Sequence, residues 1–94
     1  MNQYESIIIV NPNLDEAGLK ALEEKFTGLI NENGKVESVE NMGKKKLAYE
    51  IKKCKEGTYL LFNFEAKPDS IKELERVYRI TDEIMKFIVV RKEA

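Results

Sequence analysis

Four β-branched residues in a row, Ile7-Ile8-Ile9-Val10, run straight into Asn11-Pro12-Asn13. Branching at Cβ stiffens χ1 and suits a pleated backbone, and a proline between asparagines stops a strand. The pattern predicts a strand over Tyr4–Val10. The period then changes. Ala17, Leu22, Phe26, Leu29 and Ile30 recur at helical spacing, which predicts a helix from about Leu14 to Asn33. Asn13 or Asp15 can cap its start, Asp15 and Glu16 suit its positive first turn, and Gly34 suits its end.

Residues 35–53 read as extended, but their apolar side chains do not share one parity. Val36 and Met42 fall in one set, and Val39, Leu47, Tyr49 and Ile51 in the other. One face cannot take both sets without an irregularity, so a bulge or bend is expected near Gly43. Lys53–Gly57 is expected to turn, with Glu56-Gly57 as the permissive connection, and Thr58–Ala66 to return as a strand. A second helix starts at Lys67-Pro68-Asp69-Ser70. There Ser70-Ile71-Lys72-Glu73 matches a capping box, and Asp69 is the other candidate cap. Ile71, Leu74, Val77 and Tyr78 form its apolar stripe, Thr81-Asp82 breaks it, and Ile84–Arg91 is the last strand.

The order β-α-β-β-α-β makes two split βαβ units. With right-handed crossovers they give an α+β, ferredoxin-like fold: a four-stranded antiparallel sheet with both helices on one face, one domain over 1–94. The first and last strands are expected at its centre. Helices on one face leave the other open. Alternation assigns Ile8, Val10, Leu60, Phe62, Phe64, Phe87 and Val89 to the helix side, and Ile7, Ile9, Tyr59, Leu61, Ile88 and Val90 to the open side. Apolar surface left in water costs about 25 cal/mol per Å², and a contiguous patch of it marks an interaction surface. The open set is read as a protein-partner face. The plainer reading is that loops or the long hairpin fold over it, or that branched residues sit there because they suit strands.

Charge is uneven. The chain carries −1 overall, yet residues 44–55 hold six lysines against the single acid Glu50. Exposed charges act mainly within a Debye length of ~8–10 Å, so one local patch can bind a polyanion that the whole chain does not attract. Lys44, Lys45 and Lys46 before Leu47-Ala48-Tyr49, and Lys52, Lys53 and Lys55 after Ile51, suit phosphate contacts, and Tyr49 can stack or donate a hydrogen bond. The plainer reading is a solvated hairpin edge whose lysines deter sheet-to-sheet pairing. Lys55–Phe62 loosely resembles the third-strand motif of RNA-recognition modules, but Leu61, Ile7 and Ile9 stand where those modules place stacking aromatics. The open face therefore suits protein better than bases.

Several classes fall away. With no histidine and one cysteine, no internal disulfide forms, no metal site is expected and the commonest general base is missing. Cys54 sits in a turn without an activating histidine and is read as inert, in keeping with a reducing cytoplasm. No nucleophile–base pair and no phosphate-cradling glycine loop stand out, so no catalytic residue, cofactor or small-molecule substrate is expected. No apolar run approaches the ~20 residues of a membrane helix, so no membrane partner is expected.

Three stretches in order resemble the bacterial small-subunit ribosomal protein six family. They are Tyr4-Glu5 with Asn11-Pro12-Asn13-Leu14; Gly43-Lys44-Lys45-Lys46-Leu47-Ala48-Tyr49-Glu50-Ile51, similar to a Gly-x-basic-x-Leu-Ala-Tyr-x-Ile pattern; and Arg79-Ile80-Thr81-Asp82-Glu83-Ile84 with Val89-Val90. The resemblance spans nearly the whole chain. It implies a ferredoxin-like fold, pairing with ribosomal protein eighteen, and joint binding to the central domain of small-subunit rRNA in the cytoplasmic ribosome. A basic partner would then supply phosphate attraction that a chain of charge −1 lacks. By position it implies RNA contact at Lys44, Lys45, Lys46 and Tyr49, and at Arg79 and Lys86. Asn2, Gln3 and Thr81 stand where some relatives carry basic residues. On the residues alone, the competing readings are a ferredoxin-like protein-binding or self-associating module without an RNA role, and a small enzyme on the same fold.

Overall fold

The structure, a computed structural model, describes residues 2–92. The elements are β1 (Asn2–Val10), α1 (Glu16–Asn33), β2 (Gly34–Ile51), β3 (Cys54–Ala66), α2 (Pro68–Ile80) and β4 (Ile84–Lys92). All four strands form one antiparallel sheet in the order β2-β3-β1-β4. The β-α-β-β-α-β order and the antiparallel sheet are those expected of a ferredoxin-like fold.

The strand at the centre beside β1 is β3, and β4 lies at an edge. This corrects the expectation that the first and last strands share the centre. The β2–β3 hairpin fills the slot that α1 crosses over, so β3 lands on β1 at Asn2↔Ala66 through Val10↔Thr58. The α2 crossover then carries the chain past β1 to its free side. The apolar run Phe87-Ile88-Val89-Val90 looks like a central strand, but its edge position is marked by Lys86, Arg91 and Lys92 around it.

Cross-strand partners share a face, which sorts the side chains. Ser6, Ile8, Val10, Leu60, Phe62 and Phe64 face the helices and are fully buried or nearly so. From α1, Leu22, Phe26 and Ile30 pack down on them, and from α2, Leu74 and Tyr78. Ala17 is exposed, and Leu19 is the residue that packs near the start of α1. The Tyr78 ring bridges the layers, 4.8 Å from Phe26 and 5.2 Å from Phe87 by centroid. Its hydroxyl shares a 2.8 Å hydrogen bond with buried Ser6 Oγ. Burial pushes the Tyr78 phenol up to about 12, with the Ser6 hydrogen bond acting against the shift.

Local signals acted as caps and turns with some exchange of roles. Asp15 caps α1, its Oδ1 accepting from Gly18 N at 2.8 Å. Gly34 passes straight into β2 in extended backbone, not in a left-handed cap. Pro68 opens α2 behind Lys67, and the Ser70 hydroxyl donates to the Lys67 carbonyl instead of closing a capping box. β2 is irregular at three places against β3, after Val36, after Asn41 and after Lys46. The second falls at Gly43, whose φ is +80°, as expected. The first, unforeseen, lets Val36 and Val39 both pair with helix-facing residues, Phe64 and Phe62. One extra residue between two valines of opposite parity restores a common face.

The hairpin turns at Lys52-Lys53, between the paired Ile51 and Cys54, with φ of 47° and 64°. That corrects the expected connection at Glu56-Gly57. Gly57 instead answers a close approach on the open side. A Cβ there would lie 2.4 Å from Ile9 Cγ2 and 3.0 Å from Met85 Cε.

Candidate protein and RNA interface

No helix covers the second face of the sheet. Register places Glu40, Leu61, Ile7 and Ile88 in one row across it, and Gly43, Tyr59, Ile9 and Lys86 in the next. Ile7, Tyr59 and Leu61 are half-buried by their neighbours in the sheet, while Ile88 is 46% and Val90 52% exposed on the edge strand. Ile9 lies on the open side as alternation predicts, but it is covered. It is only 7% exposed, because Gly57 and Met85 close over it at the hairpin end. The long hairpin thus roofs one corner, and the rest of the face stays open. Beside that corner Ile7, Ile9, Tyr59, Lys86, Phe87 and Ile88 line an apolar depression of about 460 Å³, open mouth included. A concave apolar floor next to exposed branched residues is what an incoming protein side chain needs as an anchor.

The basic residues fall into two groups. Lys44, Lys45 and Lys46 stand exposed on β2, opposite Thr58, Gly57 and Glu56 in turn. Successive residues point to opposite faces, so Lys45 leans over the open side, its ammonium 5.6 Å from the Tyr59 ring centroid. The ion pairs among the described residues are Arg76–Glu73 and Lys92–Glu5. The three β2 lysines therefore keep their charge free for a ligand.

The second group gathers where the hairpin end meets β4. The irregularity after Lys46 releases residues 47–50 from regular pairing, and Tyr49 emerges 61% exposed. Its hydroxyl accepts from Lys86 Nζ at 2.9 Å. With that ammonium 5.4 Å from the ring centroid, it lies beyond the oxygen along the ring's long axis, a hydrogen bond and not a face-on cation–π contact. The bond to Tyr49 holds the Lys86 ammonium above the usual lysine range. Arg79, at the end of α2, lays its guanidinium 5.7 Å from the Phe87 ring. Of the six basic and tyrosine positions expected to meet RNA, the fold joins Tyr49 to Lys86, sets Arg79 and Lys86 along one groove at the edge strand, and leaves Lys44 to Lys46 on β2.

Lys52, one of the hairpin lysines that sequence leaves open between phosphate contact and a solvated edge, joins the second group. It lines a groove with Tyr78, Arg79, Ile84, Met85, Lys86 and Phe87, its Nζ 3.5 Å from the Ile84 carbonyl oxygen. No local signal reports this contact, because it spans 32 residues and depends on how the hairpin curls. Cys54 is free and half-buried beside the turn. The described residues hold no cluster of ligands suited to a metal ion.

Comparison with known proteins adds to this geometry. The family model for ribosomal protein S6 matches residues 3–91. Small ribosomal subunit protein bS6 of Clostridium novyi (strain NT) is 53% identical over 94 residues, covering 99% of each chain. The protein of the same name from Clostridium botulinum (strain Hall) is 50% identical, covering 99% of this chain and 100% of that one. Among solved structures, the crystal structure of 30S ribosomal protein S6 from Thermotoga maritima superposes with a TM-score of 0.91 at 40% identity. It covers 97% of this chain and 87% of that one. An Arabidopsis thaliana protein, 12% identical with a TM-score of 0.58, shares the fold alone.

Proposed function

The chain belongs to the bacterial ribosomal protein S6 family, and from that membership we propose that its open sheet face docks ribosomal protein eighteen and that the pair grips the central domain of small-subunit rRNA. As a member of the family it is a structural, RNA-binding component of the small ribosomal subunit, not an enzyme, and works on the ribosome in the cytoplasm. The finer assignment divides labour between two surfaces. Ile7, Tyr59, Leu61, Ile88 and Val90 offer the partner an apolar floor, with Ile9 beneath the hairpin corner as its fixed wall. Lys44, Lys45 and Lys46, together with Tyr49, Arg79 and Lys86, face RNA.

The observation that carries the reading is the pairing of an unsealed apolar face with unpaired lysines in a chain of net charge −1. Such a chain attracts RNA poorly by itself. A basic partner seated on the face adds the missing charge, so binding should be cooperative. The test is a titration of an rRNA central-domain fragment with this protein, with and without protein eighteen. Tight binding is expected only with both proteins. In that complex, Lys44→Ala, Lys45→Ala and Lys46→Ala combined should flatten the slope of log affinity against log salt by about two to three. Equal affinity with and without the partner, and an unchanged slope in the triple variant, would remove the support for this reading.

A further inference from the structure

We propose that the groove where the hairpin turn, the end of α2 and the start of β4 meet binds one backbone phosphate of RNA, with Lys52 as its third cation beside Arg79 and Lys86. The inference rests on the reading that the chain binds rRNA and adds a site and a residue to it.

Three cations from three elements line this groove, and no carboxylate does. In a chain with slightly more acids than bases, that is a local excess that the fold has assembled. Each cation is held. Lys52, though exposed, reaches across so that its Nζ lies 3.5 Å from the Ile84 carbonyl oxygen. Lys86 donates to Tyr49 Oη at 2.9 Å, and an ammonium has two further N–H groups to offer. Arg79 lies over Phe87, which leaves its N–H edge free for the paired contacts that suit phosphate oxygens. Ile84, Met85 and Phe87 complete the lining of the groove, which stays open to solvent.

The turn supplies a second, independent sign. Lys52 and Lys53 both sit in left-handed backbone, at φ of 47° and 64°. A two-residue hairpin loop of this kind favours Asn-Gly, and a lysine there is strained. Strain kept at a basic turn beside a basic groove points to a contact that the turn serves. A phosphodiester fits better than a carboxylate, because it offers several oxygens to donors arriving from three directions.

The experiment measures salt-dependent binding of the rRNA central-domain fragment to the complex with protein eighteen. It compares Lys52→Gln, Lys52→Arg and Lys53→Gln, with thermal unfolding as a check on folding. Lys52→Gln should reduce the salt slope by about one, as loss of one phosphate contact does. Lys52→Arg should keep the slope, and Lys53→Gln, outside the groove, should leave it unchanged. A wild-type slope for Lys52→Gln overturns the proposal, as does an equal loss for Lys53→Gln, which would reduce the effect to the general charge of the turn. If the triple alanine variant of residues 44–46 changes the slope while Lys52→Gln does not, the groove falls alone. If neither changes it, the RNA reading falls with it.

Discussion

The buried pair Ser6–Tyr78 ties β1 to α2 through two hydroxyls 72 residues apart. Because burial raises the phenol from 10.0 to about 12, the native state keeps its proton in a range where the unfolded chain loses it. The native state then binds more protons, so stability is full below pH 10 and falls as pH rises toward 12. A two-unit shift corresponds to about 3 kcal/mol at most. Denaturant unfolding followed from neutral pH upward should show this loss, and Tyr78→Phe should show a shallower one. At neutral pH the same variant should cost about 1–3 kcal/mol, since it leaves Ser6 Oγ buried without its partner. Adding Ser6→Ala should recover part of that cost. An alkaline slope unaltered in Tyr78→Phe would show that some other group carries the dependence. Both residues could be assigned to the helix side from parity and stripe alone. Their meeting could not, because it follows from the register of distant elements and not from any local pattern.

At the scale of elements, all six strands and helices were legible, five from a clear period and a stop and β2 from its extended character despite its broken parity. The connections were less so. The reading of the hairpin favoured glycine wherever φ turns positive, but two lysines hold the turn and Gly57 answers a steric demand from Ile9. Both uses of glycine remove a Cβ, and sequence does not tell them apart. Likewise Lys67-Pro68 began α2 while Ser70 and Asp69 looked like better caps. The strained turn gives a direct prediction. Replacing it by Lys52→Asn with Lys53→Gly should stabilise the protein by about 1–2 kcal/mol, by relieving two left-handed lysines. Chemical denaturation measures this as a higher midpoint at constant slope. The more stable variant should bind the rRNA fragment less tightly with protein eighteen present, because Lys52 is gone. Higher stability without loss of RNA affinity would argue that Lys52 has no binding role.

For the molecule as a whole, the one-sided helix cover could be read from element order, but the strand order could not. Phe87-Ile88-Val89-Val90 carries as much apolar character as β1, and alternation cannot say which apolar strand is flanked on both sides. The edge placement matters for function, because it leaves Ile88 and Val90 more exposed than Ile7 or Leu61. Ile88→Glu combined with Val90→Glu should therefore change folding stability little, as surface substitutions generally do. The same pair should weaken binding to protein eighteen at least tenfold in calorimetric titration. Undiminished affinity would move the docking surface elsewhere. The opposite margin of the sheet has another consequence. Between its irregularities β2 offers only short straight runs, Ser38–Asn41 and Gly43–Lys46, the second full of positive charge. A second copy sliding alongside would lose step with it every few residues. A newly made chain waiting for its assembly is thereby kept from stacking into fibres along that margin, at the modest expense of an uneven border.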